Sequence, residues 1–425
     1  MTVFVFIFSL LAAMALGMPI AFALMVCGVA LMWQVNIFDA QVLAQNLVDG
    51  ADSYPLMAVP FFLLAGELMN AGGLSRRIVD ALLAMVGHWR GGLGYVAVIA
   101  ALVLAALSGS AIADTAALAA LLIPMMREAG YNVPRAAGLL AAGGVIAPVV
   151  PPSIGLVLFG AIAGVSVSKL FIAGIVPGLM MALSLIITWW WLCRNDAPPV
   201  QPRRSTVDRV KAVRQAGWAL LLPLIIIVGV KFGVFTPTEA GVVAVVAAAL
   251  VGRFAYGELS MARLFRCMVD AAKVSAVVMF LVAAALISAW LITVANIPDQ
   301  LIALLQPFIE RPVILMIIMQ LLVLVVGTAL DFTPTILILT PVLMPLVRQA
   351  GIDPVYFGVL FVMNNAIGLL TPPVGNVLNI VCSVGKVPMD DVIKGVLPFL
   401  FALFIVLLLM SVFPILVLGP LRFLH

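Results

Sequence analysis

A short polar segment interrupts a long apolar run in the first half of the chain. It reads Ser108-Gly109-Ser110-Ala111-Ile112-Ala113-Asp114-Thr115, and no charged residue occurs from Gly91 to Ala113. A carboxylate in a membrane-length apolar stretch is costly unless it faces a cavity or has partners, so Asp114 is a candidate functional residue. The glycine and the hydroxyls would let a helix unwind and expose oxygen ligands for a hard cation such as Na⁺. Alternatively, Asp114 only caps a helix that begins at Ala113, and the small residues let helices pack closely.

The composition places this segment in a membrane protein. Of the 425 residues, 65% are hydrophobic and 9% are charged, and the mean hydropathy is +1.28. A soluble globular protein has about 25% charged residues, so a soluble class is excluded. We expect an all-α polytopic membrane protein with about 10 to 12 spans, embedded in a lipid bilayer. Basic residues lie at the ends of apolar runs, so no nucleic-acid partner is expected.

Metal-binding patterns are missing from the sequence. It has two histidines, and its four cysteines lack zinc-type spacing and are interpreted as small hydrophobic residues: Cys27, Cys193, Cys267 and Cys382. We therefore predict neither a metal cluster nor a resident cofactor. Residues 1–38 carry no charge, so there is no basic region of a cleaved signal peptide.

The first half, residues 1–193, contains several interrupted apolar runs. Residues 1–16 and 18–34 predict two short helices joined at Gly17-Met18-Pro19, with a single bent span as the alternative. Residues 40–71 form two pieces too short to span a bilayer, which predicts a re-entrant hairpin with its tip at Ser53. Residues 91–127 and 135–165 predict broken helices, the second interrupted at Pro151-Pro152-Ser153. A basic, proline-rich linker, residues 194–215, follows a continuous helix over 170–193.

The second half, residues 216–425, repeats the first at a constant offset of 221. The matched pairs include Arg127 with Arg348, Gly130 with Gly351, Pro151-Pro152 with Pro372-Pro373, Gly174 with Gly395 and Pro177 with Pro398. The opening motif recurs with a four-residue slip as Gly327-Thr328-Ala329-Leu330-Asp331-Phe332-Thr333-Pro334. We expect a second hairpin over 258–295, with its tip near Ser275, and broken helices over 311–346 and 354–385.

Loop charges predict the orientation. Placing the basic linker inside gives five spans before it, so the second repeat is inverted. This arrangement places Arg76, Arg77 and Arg90 outside, contrary to the rule that basic residues favour the inner side of the membrane.

Two clusters of oxygen ligands and two proline-containing chain breaks are the predicted sites. The ion ligands are the polar residues Ser53, Ser108, Gly109, Ser110, Asp114, Thr115, Ser275, Gly327, Thr328, Asp331 and Thr333. Substrate recognition is placed at Asn364 and Asn365, because the first half has Gly143-Gly144 there. The breaks that accompany them are Pro151, Pro152 and Ser153 in one half and Thr371, Pro372, Pro373 and Asn376 in the other.

Four segments together resemble the large membrane subunit of TRAP transporters, the tripartite ATP-independent periplasmic systems. They are Gly-Ser-Ala-x-Ala-Asp (109–114), Pro-Pro-Ser (151–153), Val-Pro-Phe-Phe-Leu-Leu-Ala-Gly (59–66) and Thr-Pro-Pro-Val-Gly (371–375). The resemblance implies a sodium-driven elevator-type transporter in a bacterial inner membrane. It also implies a separate small four-helix membrane subunit and a periplasmic substrate-binding protein. The implied substrate is an organic acid anion: a C4-dicarboxylate, another carboxylate or a sugar acid such as sialic acid.

Other classes of membrane protein agree less well with the sequence. A stand-alone cation/organic-anion symporter of similar repeat architecture, needing no binding protein, is the nearest alternative. A membrane-embedded enzyme is disfavoured because the chain has no GxSxG, HExxH or GxGD motif. A channel is disfavoured because two occluding hairpins suit alternating access better than an open pore.

Overall fold

Helices make up the chain in the computed structural model, which describes residues 2–194, 202–372 and 374–423. A 3-10 turn (Tyr54–Met57) precedes α4, and a π-helical turn (Val251–Ala255) follows α12. The α-helices are α1 (Thr2–Ala15), α2 (Ile20–Gln34), α3 (Ala40–Ala51), α4 (Ala58–Ala71), α5 (Leu74–Val86), α6 (Gly92–Ser108), α7 (Ala111–Glu128), α8 (Val133–Gly144), α9 (Ile154–Ala163), α10 (Val167–Cys193), α11 (Thr206–Lys231), α12 (Pro237–Leu250), α13 (Met261–Val294), α14 (Ile297–Ile309), α15 (Pro312–Ala329), α16 (Phe332–Gln349), α17 (Pro354–Gly368), α18 (Asn376–Gly385), α19 (Met389–Val412) and α20 (Ile415–Phe423).

Within these ranges, seven helical segments are long and apolar enough to cross a membrane. They include α10, α11, α13 and α19, and shorter apolar helices accompany them. A bilayer core needs about 20 residues of helix. The chain is therefore a multi-pass α-helical membrane protein.

Glycine and proline separate the first two helices, α1 and α2, as predicted. Gly17 has a φ of 80°, and Pro19 immediately precedes α2. The helices α1 and α2 pack against each other. The prediction of two short helices in place of one bent span is confirmed.

The predicted hairpin over 258–295 is wrong. Residues 261–294 form one continuous helix, α13, with Ser275 near its middle. This stretch contains neither glycine nor proline, so nothing removes a backbone donor or favours a reversal. The helix contacts α2, α3, α4 and α16.

A close-packed helical pair lies at 92–128 instead of 40–71. Trp189 Nε1, near the end of α10, donates to the Gly91 carbonyl at 2.8 Å, and Tyr131 stacks on the Trp189 ring. The start of α6 and the end of α7 therefore lie at the same end of the bundle, so α6 and α7 form a hairpin with its tip at Gly109. The predicted break at Ser53 is present, but α3 and α4 each pack on α13.

The arginines before α6 lie on the side of the linker. Arg90 Nη2 donates to the Arg194 carbonyl at 3.1 Å, and Arg209 Nε donates to the Ala84 carbonyl at 2.9 Å. The expectation that Arg90 lies at the end opposite the linker is wrong. The reason is the hairpin α6–α7, which returns the chain to the side it left.

Helix boundaries recur at the offset found in the sequence. Ala111 and Phe332, which begin α7 and α16, are 221 positions apart, as are Glu128 and Gln349, which end them. Contacts between the halves are reciprocal: α7 packs on α18 and α16 packs on α9. Arg127 Nη2 donates to the Gly385 carbonyl at 2.7 Å, and Arg348 Nη2 donates to the Ala163 carbonyl at 2.9 Å. Each half thus caps a helix C-terminus of the other.

Candidate functional site

The tip of the first hairpin is the polar segment at which α6 ends and α7 begins. Gly109 has a φ of 61°, which favours glycine, and Ser110 is the N-cap of α7. Ser108 Oγ donates to Asp114 Oδ1 at 2.5 Å, and the Ser110 amide donates to Ser108 Oγ at 3.1 Å. The tip is therefore a small, internally bonded loop with a carboxylate in the first turn of α7.

The first tip lies directly on the break between α8 and α9. A Cβ built on Gly109 would lie 2.7 Å from the Pro152 carbonyl oxygen and 3.3 Å from the Ile154 amide. Ser153 is fully buried; its Oγ donates to the Pro148 carbonyl and accepts from the Leu156 amide. The structure thus brings together the two motifs of the first half.

Two oxygen atoms in α7 are buried without a hydrogen-bond partner among the described residues. They are Asp114 Oδ2 and Thr115 Oγ1, on side chains with 2% and 0% exposure. Thr115 lies against Gly144, where a Cβ would overlap its hydroxyl. A buried polar oxygen without a partner costs about 1–3 kcal/mol, more when charged. These atoms are suited to ligate a cation.

A second tip lies where α15 ends and α16 begins, and these two helices pack against each other as a second hairpin. It is organised by Asp331. This residue is the N-cap of α16, and its Oδ1 accepts from the Phe332 amide at 2.8 Å and from Asn376 Nδ2 at 3.0 Å. Thr335 Oγ1 donates to the Asp331 carbonyl at 2.9 Å. Asn376 begins α18, so this contact joins the second tip to the second chain break.

The two asparagines of α17 bind the backbone around the second tip. Asn365 Nδ2 donates to the Phe332 carbonyl at 2.7 Å, and Asn364 Nδ2 donates to the Gln320 carbonyl at 2.5 Å. Gly327 lies against Asn365 and Gly368. The asparagine Oδ1 atoms are buried and have no partner in the described part of the chain. Both residues position α15 and α16.

A cavity of 210 Å³ separates the two tips. Three helix N-termini meet at it, because Ala111, Ile154 and Phe332 begin α7, α9 and α16 and all line it. The other lining residues are Leu63, Gly109, Ser110, Ile112, Pro148, Val274, Val278, Asp331, Thr333 and Leu369. Helix N-termini carry partial positive charge and free amides, which favour an anion.

Other predicted residues are not at this cavity. Ser53 begins the 3-10 turn, whose Tyr54 carbonyl accepts from Thr238. Ser275 is buried within α13. Thr328 Oγ1 bonds the Val325 carbonyl, and Thr371 Oγ1 bonds the Ile367 carbonyl, so these hydroxyls serve their own helices. Pro372 lies in the break before α18, whereas Pro373 lies outside the described residues.

The two acids do not occupy equivalent positions. Asp331 is the N-cap of α16, as Ser110 is of α7. The residue 221 positions after Asp114 is Thr335, which is fully buried. The match of Asp331 with Asp114, which required a four-residue shift from the offset of 221, is therefore wrong. Thr335 was missed as a site residue, although the constant offset could have identified it.

The fold and the cavity between two tips define a multi-pass helical membrane transporter. Residues 7–416 match the family described as Tripartite ATP-independent periplasmic transporter, DctM component. The chain belongs to this family.

Two relatives are similar to this chain over all or nearly all of its length. The chain is 52% identical over 425 residues to the 2,3-diketo-L-gulonate TRAP transporter large permease protein YiaN of Escherichia coli, covering 100% of both chains. It is 37% identical over 408 residues to the sialic acid TRAP transporter large permease protein SiaM of Vibrio cholerae, covering 96% of both. These relatives are permeases, so the chain is a transporter component and not an enzyme.

The fold also resembles a solved transporter. The Alcanivorax borkumensis YdaH crystal structure superposes with a TM-score of 0.63 at 16% identity, over 88% of this chain and 89% of the other. At this identity the similarity concerns the fold alone.

Proposed function

We propose that this chain is the substrate-translocating subunit of a sodium-driven, binding-protein-dependent uptake system for an organic acid anion in a bacterial inner membrane. The observation that carries the proposal is the cavity between the Ser110 and Asp331 tips, in a chain of the TRAP large-permease family. No resident cofactor is involved, and Na⁺ is the coupling ion.

Sodium is proposed to bind beside the first tip. Na⁺ is a hard cation that prefers hydroxyl, carbonyl and carboxylate oxygens, and Asp114 Oδ2 and Thr115 Oγ1 are buried oxygens of this kind. In the second half, the Asp331 carboxylate and the neighbouring Thr333 are the corresponding candidates. Binding of the cation would neutralise a buried acid and favour the folded tip.

The substrate carboxylate is proposed to bind at the converging N-termini of α7, α9 and α16. No lysine or arginine lines the cavity, so backbone amides and helix dipoles must supply the positive potential. Ser110 and Thr333 add hydroxyl groups to the same cavity. A C4-dicarboxylate, another carboxylate or a sugar acid fits this chemistry.

The two halves are proposed to be inverted-topology repeats that move as an elevator. Support comes from Arg127, at the end of α7, which contacts Gly385, and from Arg348, at the end of α16, which contacts Ala163. Gly385 and Ala163 end α18 and α9. We infer that each hairpin enters from a different membrane face, and that α6–α10 and α15–α19 move against the remaining helices.

The test is uptake in proteoliposomes. The chain is reconstituted with the small four-helix membrane subunit and the periplasmic binding protein, and radiolabelled succinate, sialic acid and gulonate are offered with and without a sodium gradient. We expect sodium-dependent uptake of one acid that needs both partners. Uptake at the same rate without the binding protein would instead support a stand-alone symporter. Uptake at the same rate with and without a sodium gradient would contradict coupling of transport to Na⁺.

A further inference from the structure

A groove separate from the transport cavity runs between the start of α6 and the end of α10. Its volume is 540 Å³. Aromatic rings (Trp89, Trp190) and aliphatic side chains (Ile99, Ile187) line it, and Arg90 and Arg194 also belong to its wall. Ile187 and Trp190 are each 55% exposed. The groove therefore opens on the apolar outer surface and carries two cations at its wall.

Buried contacts beside this groove join the start of α6 to the end of α10. The Trp189 side chain is 2% exposed, donates to the Gly91 carbonyl and stacks on Tyr131 with ring centroids 6.2 Å apart. Gly94 lies under the same indole, where a Cβ would overlap the ring. The two helices that form the groove are thus held together by contacts within the protein.

The two arginines have no carboxylate partner among the described residues. Arg90 Nη2 donates to the Arg194 carbonyl at 3.1 Å, which holds the two residues together. Neither forms an ion pair with a carboxylate in residues 2–194, 202–372 and 374–423. A guanidinium has five N–H donors, so most donors of both groups are available. Two adjacent unneutralised cations favour a ligand that brings negative charge.

We propose that this groove binds an anionic phospholipid, with its phosphate at Arg90 and Arg194 and an acyl chain along Ile99 and Ile187. Tryptophan and arginine are typical of the headgroup level of a bilayer, and basic pockets between spanning helices bind anionic headgroups. A free phosphate would leave the apolar part of the groove empty. The lipid would hold the start of α6 to the end of α10, at the base of the first hairpin.

Native mass spectrometry of the purified full chain in detergent tests the proposal. Phosphatidylglycerol and phosphatidylcholine are titrated separately, and bound lipids are counted. We expect the first to bind about tenfold more tightly, because the two guanidinium groups attract the net negative charge that phosphatidylcholine lacks. The double variant R90Q/R194Q should lose this preference. The variant R266Q/R311Q, which removes two other exposed arginines, should keep it.

A second variant tests the groove independently of charge. I187W fills the apolar part and retains both arginines, so it should weaken binding of both lipids. Thermal unfolding confirms that each variant is folded. Equal affinity for both lipids in the unmodified chain would overturn the proposal, as would an unchanged preference in R90Q/R194Q. Displacement of the lipid by the small membrane subunit would assign the groove to a partner helix and would also overturn it.

Discussion

The Asn376 side chain donates to the carboxylate of Asp331 at 3.0 Å, across 45 positions of the chain. Asp331 is the N-cap of α16, and Asn376 begins α18 after the proline break. The same carboxylate oxygen accepts the Phe332 amide. The second tip and the second break are therefore one structural unit, and the orientation of Asp331 in the cavity depends on both.

Removing this link should impair transport. N376A deletes the amide donor, and we expect uptake to fall severalfold with a stability loss of about 1 kcal/mol, typical of one hydrogen bond. The matched control is N379A, one turn further along α18, which removes a bond to the exposed Val374 carbonyl. Proteoliposome uptake and thermal unfolding are the measurements. Equal uptake by both variants would contradict a role for the Asp331 contact.

Substitution of the buried acid should change sodium activation. D114N keeps the shape of the side chain but removes its charge, so we expect the sodium concentration for half-maximal uptake to rise about tenfold or more, equivalent to at least about 1.4 kcal/mol. D390N, at an exposed acid in the first turn of α19, should leave it unchanged. An unaltered sodium dependence in D114N would exclude Asp114 as an ion ligand.

The close approach of the first tip to the α8–α9 break can be tested at a glycine. G109A introduces a Cβ at a φ of 61° and 2.7 Å from the Pro152 carbonyl oxygen. Gly164 has a φ of 65° with open space around it. G164A should lose about 1–2 kcal/mol from backbone strain alone and keep its uptake. G109A should lose more stability and nearly all uptake. Indistinguishable variants would mean that the contact with Pro152 is unimportant.

Inversion of the repeats predicts opposite accessibility of two equivalent helix ends. Glu128 and Gln349 end α7 and α16 and are both exposed. In a background without the four native cysteines, E128C and Q349C should react with an impermeant thiol reagent from opposite sides of the membrane. Labelling of inverted and right-side-out vesicles provides the measurement. Reaction of both cysteines from one side would rule out inversion.

Much of the helical pattern could be predicted because its signals are local. Gly17 follows α1, Gly109 follows α6, and Pro151 lies in the break between α8 and α9. The backbone preferences of glycine and proline act without tertiary contacts. The length of each apolar run indicates membrane spans in the same way. Asn364 and Asn365 were identified because they stand where the first half has Gly143-Gly144, and Asn376 because it follows the second proline pair.

The sequence could not predict whether the two helices on either side of a break pack against each other. Ser53 and Gly109 both interrupt apolar runs, but of these two breaks only Gly109 joins helices that form a close pair. The pair is α6 and α7, whose ends are held together by Trp189 and Tyr131. Those contacts come from α10 and from the loop after α7. Similarly, Ser275 suggested a tip only through the supposed repeat, whereas the local sequence of α13 favours an unbroken helix.

The sequence by itself determined that this is a polytopic helical membrane protein with breaks at four places and a repeat offset of 221, because composition and backbone preference are properties of each segment. Only the tertiary structure decided that Ser110 and Asp331 border one cavity, that Asp114 bonds Ser108, and that Asn376 donates to Asp331. These relations depend on which helix faces pack together, and packing is decided by residues distant in the chain.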